Sequence, residues 1–113
     1  MTDTAVTPPK KRILCVEDEP TLGNLYKVTL ENAGYNVDIA PDGEVGLRMI
    51  LTDQYDLIAL NTLLPKMSGY EVLEKLQGVK LKGKVGMLTN IYDDIHITQA
   101  LKFGISFYIV KQN

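Results

Sequence analysis

Apolar residues along the chain fall into short continuous runs, separated by longer stretches in which they recur every three or four positions. The short runs predict buried β-strands, and the periodic stretches predict amphipathic helices. The predicted strands are 13–16, 37–40, 57–60, 85–89 and 107–110. The predicted helices are 20–33, 45–51, 70–76 and 93–103. Strand and helix therefore alternate along the whole chain, and a fifth strand ends the pattern.

The third predicted strand organises the rest of the fold. Its apolar run, 57–60, is opened by Asp56 and followed by Pro65 and Gly69, which is typical of a strand buried on both faces. Such strands lie inside parallel sheets that helices cover on both sides. Alternation of strands with helices implies right-handed crossovers, so the pattern predicts an α/β protein with a parallel, doubly wound sheet.

Length and composition indicate one ordinary globular domain. The chain has 113 residues, of which 45% are hydrophobic and 23% charged, and this is enough for a single core. The formal net charge of −2 does not indicate a nucleic-acid-binding protein. We interpret the basic cluster 10–12 as solvated residues that flank a strand. A single cysteine, Cys15, excludes an internal disulfide and favours a reducing compartment.

The start of the chain is expected to be a tail. Residues 1–9 are rich in threonine and end in two prolines, so we expect them to be flexible and to precede a domain of residues 10–113. The tail lacks the apolar segment of a signal peptide, and no run is long enough to cross a bilayer. We therefore expect a cytoplasmic protein that does not contact membranes.

Polar residues lie at the carboxyl ends of four of the predicted strands. They are Glu17, Asp18, Asn61, Thr89 and Lys111. In open α/β sheets, functional groups gather just beyond these ends. Carboxylates and an amide are oxygen donors that Mg²⁺ accepts, while a hydroxyl and an ammonium suit phosphoryl oxygens. Each residue alone has a structural interpretation, such as a helix cap for Asp18, but their joint occurrence favours a site.

Four segments, 13–20, 56–69, 87–89 and 108–111, resemble the receiver domain of two-component response regulators. The Leu-Pro-Lys-Met-Ser-Gly segment also has that family's spacing from Asn61. The resemblance implies a three-layer flavodoxin-like fold with a five-stranded parallel sheet of strand order 2-1-3-4-5. It also implies a signalling module that is not an enzyme. Its partner would be a sensor histidine kinase or a phosphotransfer protein, and this domain would contact no nucleic acid.

The resemblance also assigns a role to each residue of the strand-end constellation. The implied Mg²⁺ ligands are Glu17, Asp18, Asn61 and the backbone carbonyl of Leu63. Thr89 would be the switch hydroxyl that binds a phosphoryl oxygen, and Lys111 would pair with the phosphoryl group. Tyr108 would be the switch aromatic side chain, whose rotamer reports activation.

Asn61 departs from the family pattern, in which an aspartate accepts the phosphoryl group. A neutral amide is a poor nucleophile, so we expect that this form cannot be phosphorylated. Its neutral oxygen should also weaken Mg²⁺ binding, although its amide can still hydrogen-bond Lys111. Either the protein is a natural pseudo-receiver, or the aspartate was replaced to block phosphorylation. Thr62 is not predicted to substitute as a nucleophile, because no base is evident beside it.

The second departure is at the end of the chain, which stops two residues after Lys111, where receivers continue into a fifth helix. We therefore expect a domain truncated after its fifth strand. An absent amphipathic helix leaves roughly 400 Å² of apolar surface, about 10 kcal/mol as an upper estimate. That rivals the net stability of a small domain, about 5–15 kcal/mol. We expect this face to be buried by self-association, for example in a dimer, by a partner, or by rearranged chain.

A second function stays open, a phosphorylation-independent pseudo-receiver that acts as an interaction or oligomerisation domain. In the leading interpretation, the output is protein–protein contact through the fourth helix and fifth strand. A nucleotide binder is disfavoured, because acids and Pro20 follow the first strand, where a phosphate-binding loop needs glycines and hydroxyls. His96 is predicted to be a surface residue without a relay role.

Overall fold

The computed structural model describes residues 8–91 and 93–111. Five strands form one parallel sheet: β1 (Arg12–Val16), β2 (Asn36–Ala40), β3 (Leu57–Leu60), β4 (Lys84–Thr89) and β5 (Phe107–Val110). Four helices connect them: α1 (Pro20–Asn32), α2 (Gly43–Thr52), α3 (Gly69–Lys75) and α4 (Asp94–Leu101). The strand order is β2-β1-β3-β4-β5, so the predicted flavodoxin-like topology is confirmed.

The pairing register brings the carboxyl ends of the inner strands to one edge. Val16 of β1 is opposite Leu60 of β3. Backbone hydrogen bonds extend the pairing beyond the strands, because Asn61 N donates to Val16 O at 3.1 Å and Lys111 N donates to Thr89 O at 2.7 Å. The residues that follow the strands are therefore neighbours across the sheet.

Each face of the sheet has its own hydrophobic cluster, since successive strand residues point to opposite faces. The larger cluster joins Leu14 and Leu60 to side chains from α2 and α3. The smaller cluster joins Cys15 and Ala59 to side chains from α1. Burial also raises the pKa of the Cys15 thiol to about 11, so the thiol is uncharged at neutral pH. Helices on both faces of the sheet give the predicted three layers.

Every helix begins after a residue whose side chain accepts hydrogen bonds from amides of the first turn. These N-cap residues are Glu19, Asp42, Ser68 and Asp93. A cap of this kind stabilises a helix by about 1 kcal/mol. Glu19 caps α1, with Pro20 as the first helical residue, so the alternative interpretation of Asp18 as a helix cap is wrong. Asp18 is left free to join the polar residues at the strand ends.

The sheet face that packs against α1 is only partly covered. A groove of about 420 Å³ lies between α1 and β5. Its lining includes Leu25 and Ile109, which are 56% and 52% exposed. Within residues 8–91 and 93–111, no segment rearranges to fill the groove, so the expectation of rearranged chain is not met there. Burial by self-association or by a partner stays a prediction.

The expected tail lies mostly outside the described residues, which include only Pro8 and Pro9 of it. The described sheet ends with β5, and Lys111 is the last described residue. None of the helices in the described segments combines the length and hydropathy that crossing a bilayer requires.

Candidate functional site

A buried ion pair lies where β1 and β5 end. Glu17 directly follows β1, and its Oε1 accepts a hydrogen bond from Lys111 Nζ at 2.5 Å. The two side chains are only 3% and 8% exposed, respectively. Removing one partner of such a pair leaves an uncompensated buried charge, which costs about 3–5 kcal/mol. The pair therefore fixes the end of β5 against the end of β1.

The second oxygen of Glu17 is occupied as well. Glu17 Oε2 accepts hydrogen bonds from the backbone N–H of Glu19 at 3.1 Å and from Asn61 Nδ2 at 3.4 Å. Asn61 Nδ2 also donates to Asp18 Oδ1 at 3.2 Å. The Asn61 amide thus lies between two carboxylates and acts as a donor to both.

The hydrogen bond that Asn61 could make with Lys111 is not formed. The ammonium lies against Glu17, and the amide turns its N–H group toward Glu17 and Asp18. The physical reason is charge, because an ammonium binds a carboxylate more strongly than it binds a neutral amide oxygen. Lys111 and Asn61 are therefore connected through Glu17.

The loop after Asn61 packs tightly against the first residues of two helices. A Cβ atom at Gly69, where α3 begins, would overlap the Asn61 carbonyl. A Cβ atom at Gly43, where α2 begins, would overlap the carbonyl of Met67. Only glycine permits this close approach of backbone to backbone. This anchoring was not predicted from the sequence, although the position of each glycine directly after a helix-capping residue could have indicated it.

Thr89 and Tyr108 both hold the backbone of Ile91. The buried Thr89 Oγ1 accepts a hydrogen bond from Ile91 N at 3.1 Å, and Tyr108 Oη donates to Ile91 O at 2.7 Å. Desolvation by burial raises the pKa of Tyr108, so the phenol keeps the proton that it donates. The segment that follows β4 is thereby tied to β5.

Direct hydrogen bonds bring four of the predicted site residues together. They are Glu17, Asp18, Asn61 and Lys111. Thr89 is beside them, because its carbonyl accepts from the backbone N–H of Lys111, and Tyr108 is connected to Thr89 through Ile91. Leu63 follows Asn61 by two residues and is exposed. We refer to the four directly bonded residues as the Asn61 cluster.

The same contacts test whether the cluster fits Mg²⁺. The ion requires oxygen donors that face it and several retained waters. Both oxygens of Glu17 instead face an ammonium or N–H groups, and Asn61 presents an N–H group to the carboxylates. In the described parts of the chain, no three His, Cys, Asp or Glu side chains are grouped to hold a metal. The residues as arranged therefore do not fit Mg²⁺ with Glu17 as a ligand, and Asp18 is the exposed carboxylate of the cluster.

Thr62 follows Asn61, and its side chain is buried. Its hydroxyl has no hydrogen-bond partner among the described residues, and an unpaired buried polar group costs about 1–3 kcal/mol. No base within residues 8–91 and 93–111 accepts its proton, which agrees with the prediction that Thr62 is not an activated nucleophile.

His96 is a surface residue, as predicted, and it has a local structural role. Its Nδ1 is paired with Asp93 Oδ2 at 2.7 Å, and its backbone N–H donates to Asp93 Oδ1 at 2.8 Å. The backbone hydrogen bond first, and the ring second, lower the pKa of Asp93. The pair therefore stabilises the N-terminus of α4.

Comparisons with known proteins agree with this geometry. Residues 13–113 match the model of a family described as the response regulator receiver domain. The transcriptional regulatory protein DltR of Streptococcus agalactiae is 39% identical over 103 residues, which cover 88% of this chain and 45% of that protein. The chain thus spans less than half the length of this curated relative.

Solved structures are similar over nearly the whole chain. A CheY-like response regulator receiver domain protein from Methanospirillum hungatei has a TM-score of 0.86 and 32% identity, covering 93% of this chain and 84% of that one. The response regulator protein TrrA from Thermotoga maritima, in complex with Mg²⁺-BeF, has a TM-score of 0.80 and 33% identity, covering 90% of this chain and 87% of that one.

Proposed function

Because the chain belongs to the response regulator receiver family, we propose that it is a receiver module of a two-component phosphorelay that cannot be phosphorylated in this form. Asn61 occupies the position where an aspartate would accept the phosphoryl group. The observation that carries the proposal is the Asn61 amide, held between Glu17 and Asp18 at the end of the central strand. The module signals and is not itself an enzyme.

The chemistry of the amide explains why the site is inert. A phosphoacceptor must offer an electron pair of a charged or activated oxygen. The amide of Asn61 is neutral, and its Nδ2 hydrogens point at two carboxylates. Transfer of a phosphoryl group to this side chain is therefore not available to the protein, and Thr89 and Lys111 have no phosphoryl oxygen to bind.

Mg²⁺ binding is weakened for two reasons. An amide supplies a neutral oxygen in place of a carboxylate, and Lys111 already neutralises Glu17. When bound, Mg²⁺ would supply positive charge beside the phosphoacceptor position. Asp18 and the carbonyl of Leu63 are the donors that this chain could still offer it.

The output of the module is protein–protein contact through α4 and β5. The exposed apolar side chains of α4 are Ile95 and Leu101. Tyr108 of β5 holds Ile91 just before α4, and Thr89 holds the same residue, so a change at the Asn61 cluster can reach this surface. Upstream, the partner is a sensor histidine kinase or a phosphotransfer protein in the cytoplasm, and nucleic acid is not contacted by this domain.

Restoring the acceptor tests the proposal. The variant Asn61→Asp is incubated with Mg²⁺ and acetyl phosphate, and covalent labelling is followed by intact mass. We expect labelling of Asn61→Asp and none of the wild type or of the matched variant Asn61→Ala. The double variant Asn61→Asp/Asp18→Asn should lose the Mg²⁺ dependence together with most of the labelling. Labelling of the wild type would contradict the proposal.

The second candidate is a phosphorylation-independent interaction or oligomerisation domain. It is favoured by the hydrogen bonds among Glu17, Asn61 and Lys111, which satisfy one another without a phosphoryl group. An Asn61→Asp protein that folds but is not labelled would support it. Self-association would then use the groove between α1 and β5. A sedimentation experiment should show a dimer that Ile109→Lys dissociates, and a stable monomer at all concentrations would exclude this mode.

A further inference from the structure

Lysine side chains are concentrated at the amino end of the sheet, opposite the Asn61 cluster. The exposed lysines there are Lys10, Lys11, Lys80, Lys82 and Lys84. Two adjoining depressions lie among them, of about 230 and 200 Å³, and both are lined by Gln54 and Lys82. We call this surface, formed by the five lysines and the two depressions, the basic trough.

The carboxylates in the trough are already paired. Arg12 Nη1 binds Asp53 Oδ1 at 2.7 Å, and Lys82 Nζ lies 3.4 Å from Asp56 Oδ1. The Arg12 side chain lowers the pKa of Asp53, and the backbone N–H of Arg12, followed by Lys82, lowers that of Asp56. Both acids are therefore ionised and already hydrogen-bonded.

The other lysines of the trough lack such partners. Lys10, Lys11, Lys80 and Lys84 pair with no carboxylate among the residues that the structure describes. The two carboxylates in the lining of the depressions are Asp53 and Asp56, and the five cations are Lys10, Lys11, Arg12, Lys80 and Lys82. The local net charge is therefore +3, in a chain whose formal net charge is −2. A positive surface of this kind on an acidic protein attracts an anionic partner.

Apolar side chains lie beside these charges. Leu51 and Val79, which are 54% and 39% exposed, line the smaller depression together with Lys80. Burial of apolar surface favours binding, so these two side chains favour a ligand that carries apolar groups as well as negative charge.

We propose that the basic trough binds an acidic polypeptide segment of a partner protein, with carboxylates on the lysines and an apolar side chain on Leu51 and Val79. The strands place the trough roughly 15 Å from the Asn61 cluster. Binding there therefore leaves the cluster and the α4–β5 surface accessible. The inference is independent of whether the receiver site accepts a phosphoryl group.

The chemistry of the trough favours a polypeptide over nucleic acid. Asp53 and Asp56 are in the same linings as the lysines. A polypeptide can place neutral residues opposite these two carboxylates, whereas a nucleic-acid backbone carries a charge at every nucleotide and would be repelled. The guanidinium of Arg12 is held by Asp53 and is 4.7 Å from the ring centre of Tyr55, so it is not free for a bidentate phosphate contact. Tyr55 itself is buried and offers no face on which a base could stack.

The test is fluorescence anisotropy with a labelled peptide in which glutamate alternates with leucine. The triple variant Lys10→Gln/Lys11→Gln/Lys80→Gln should bind this peptide roughly tenfold more weakly than the wild type, because it loses three exposed ion pairs, each of which contributes modestly. The charge-matched control Arg48→Gln/Lys75→Gln/Lys102→Gln, on exposed positions elsewhere, should bind as the wild type does. Leu51→Ser should weaken the alternating peptide but not a peptide of glutamate alone.

Three results would overturn the proposal. The first is equal weakening in the control variant, which would mean that only net charge matters. The second is a single-stranded oligonucleotide of equal charge that competes as well as the peptide, which would assign the trough to nucleic acid. The third is the absence of peptide binding by the wild type at physiological salt.

Discussion

Each end of the sheet has a lysine paired with a carboxylate, and the two pairs differ in almost every physical respect. At the carboxyl end, the Lys111 and Glu17 side chains are 8% and 3% exposed and their charged atoms are 2.5 Å apart. At the amino end, Lys82 and Asp56 are 61% and 22% exposed and 3.4 Å apart. Water and salt screen the second pair but hardly reach the first.

The difference shows how one pairing of residue types serves two purposes. The buried pair cannot be broken cheaply, so it holds β1, β5 and the Asn61 cluster in one arrangement. The exposed pair contributes little to stability, and its lysine is available to other ligands. A fixed hydrogen-bond network suits a functional site. Exposed and mobile charged side chains suit the docking surface that we propose at the amino end.

The largest expected effect comes from breaking the buried pair. Lys111→Met removes the ammonium and leaves Glu17 charged and buried, so the free energy of unfolding should fall by about 3–5 kcal/mol. Urea denaturation measures this change. The double variant Lys111→Met/Glu17→Gln should recover a large part of the loss. A Lys111→Met protein as stable as the wild type would show that the pair does not organise this end of the sheet.

A smaller effect is expected from restoring an acid in the cluster. Asn61→Asp places a third carboxylate beside Glu17 and Asp18 and removes a donor to both. In metal-free buffer it should lower the free energy of unfolding by about 1–2 kcal/mol, because like charges this close repel. The matched variant Asn61→Ala removes the donor without adding charge and should cost less. An equal decrease in the free energy of unfolding of Asn61→Asp and Asn61→Ala would show that charge repulsion is not the cause.

At the amino end, Tyr55 makes a contribution to the free energy of unfolding that depends on pH. Its phenol donates to Asp38 Oδ2 at 2.7 Å, and burial, then this hydrogen bond, raise its pKa well above the usual value of 10.0. The folded state therefore keeps the proton to higher pH than the unfolded state does. The stabilisation of the folded state by the protonated Tyr55 phenol is complete below about pH 10, and it is lost as the pH rises above that value.

Tyr55→Phe should accordingly cost about 1 kcal/mol at neutral pH and reduce the loss of stability above pH 10. Thermal unfolding from neutral to alkaline pH measures both effects. Tyr35→Phe is the control, because the Tyr35 side chain is exposed and makes no hydrogen bond to another side chain in the described part of the chain. Identical alkaline profiles for the wild type and Tyr55→Phe would show that the phenol is not protected.

The smallest effect is expected at the exposed pair. Lys82→Met should change the free energy of unfolding by less than about 1 kcal/mol, and added salt should remove what difference there is. Urea denaturation at low and high ionic strength measures both. If Lys82→Met lowered the free energy of unfolding as much as Lys111→Met does, the two ion pairs would not differ in their contribution to stability.

Much of the fold could be predicted from the sequence, because strands and helices differ in their apolar periodicity. The predicted bounds of all five strands lie within one residue of the observed bounds. The start of α2 was less accurate, at residue 45 instead of Gly43. Glycine is a poor helix former, so Gly43 and Gly46 weakened the helical pattern. In the structure they have a packing role, since their missing side chains admit Met67 and Val16.

The site was predictable as a group of residues but not as a set of contacts. Parallel strands bring their carboxyl ends to one edge, so Glu17, Asp18, Asn61 and Lys111 could be placed together in advance. Which oxygen Lys111 approaches depends on side-chain geometry and desolvation, and sequence spacing contains neither. The same limit applies to the basic trough, because Lys10 and Lys80 are distant in sequence and meet only in the folded sheet.

Our central proposal is that Lys111 neutralises Glu17 and that the neutral Asn61 amide donates to both Glu17 and Asp18, so that the receiver site is inert. Titration of Mg²⁺ into the wild type and into Asn61→Asp, followed by isothermal calorimetry, tests it most directly. We predict saturable binding to Asn61→Asp and at least tenfold weaker binding to the wild type, about 1.4 kcal/mol or more. Equal Mg²⁺ affinity in the two proteins would contradict the claim.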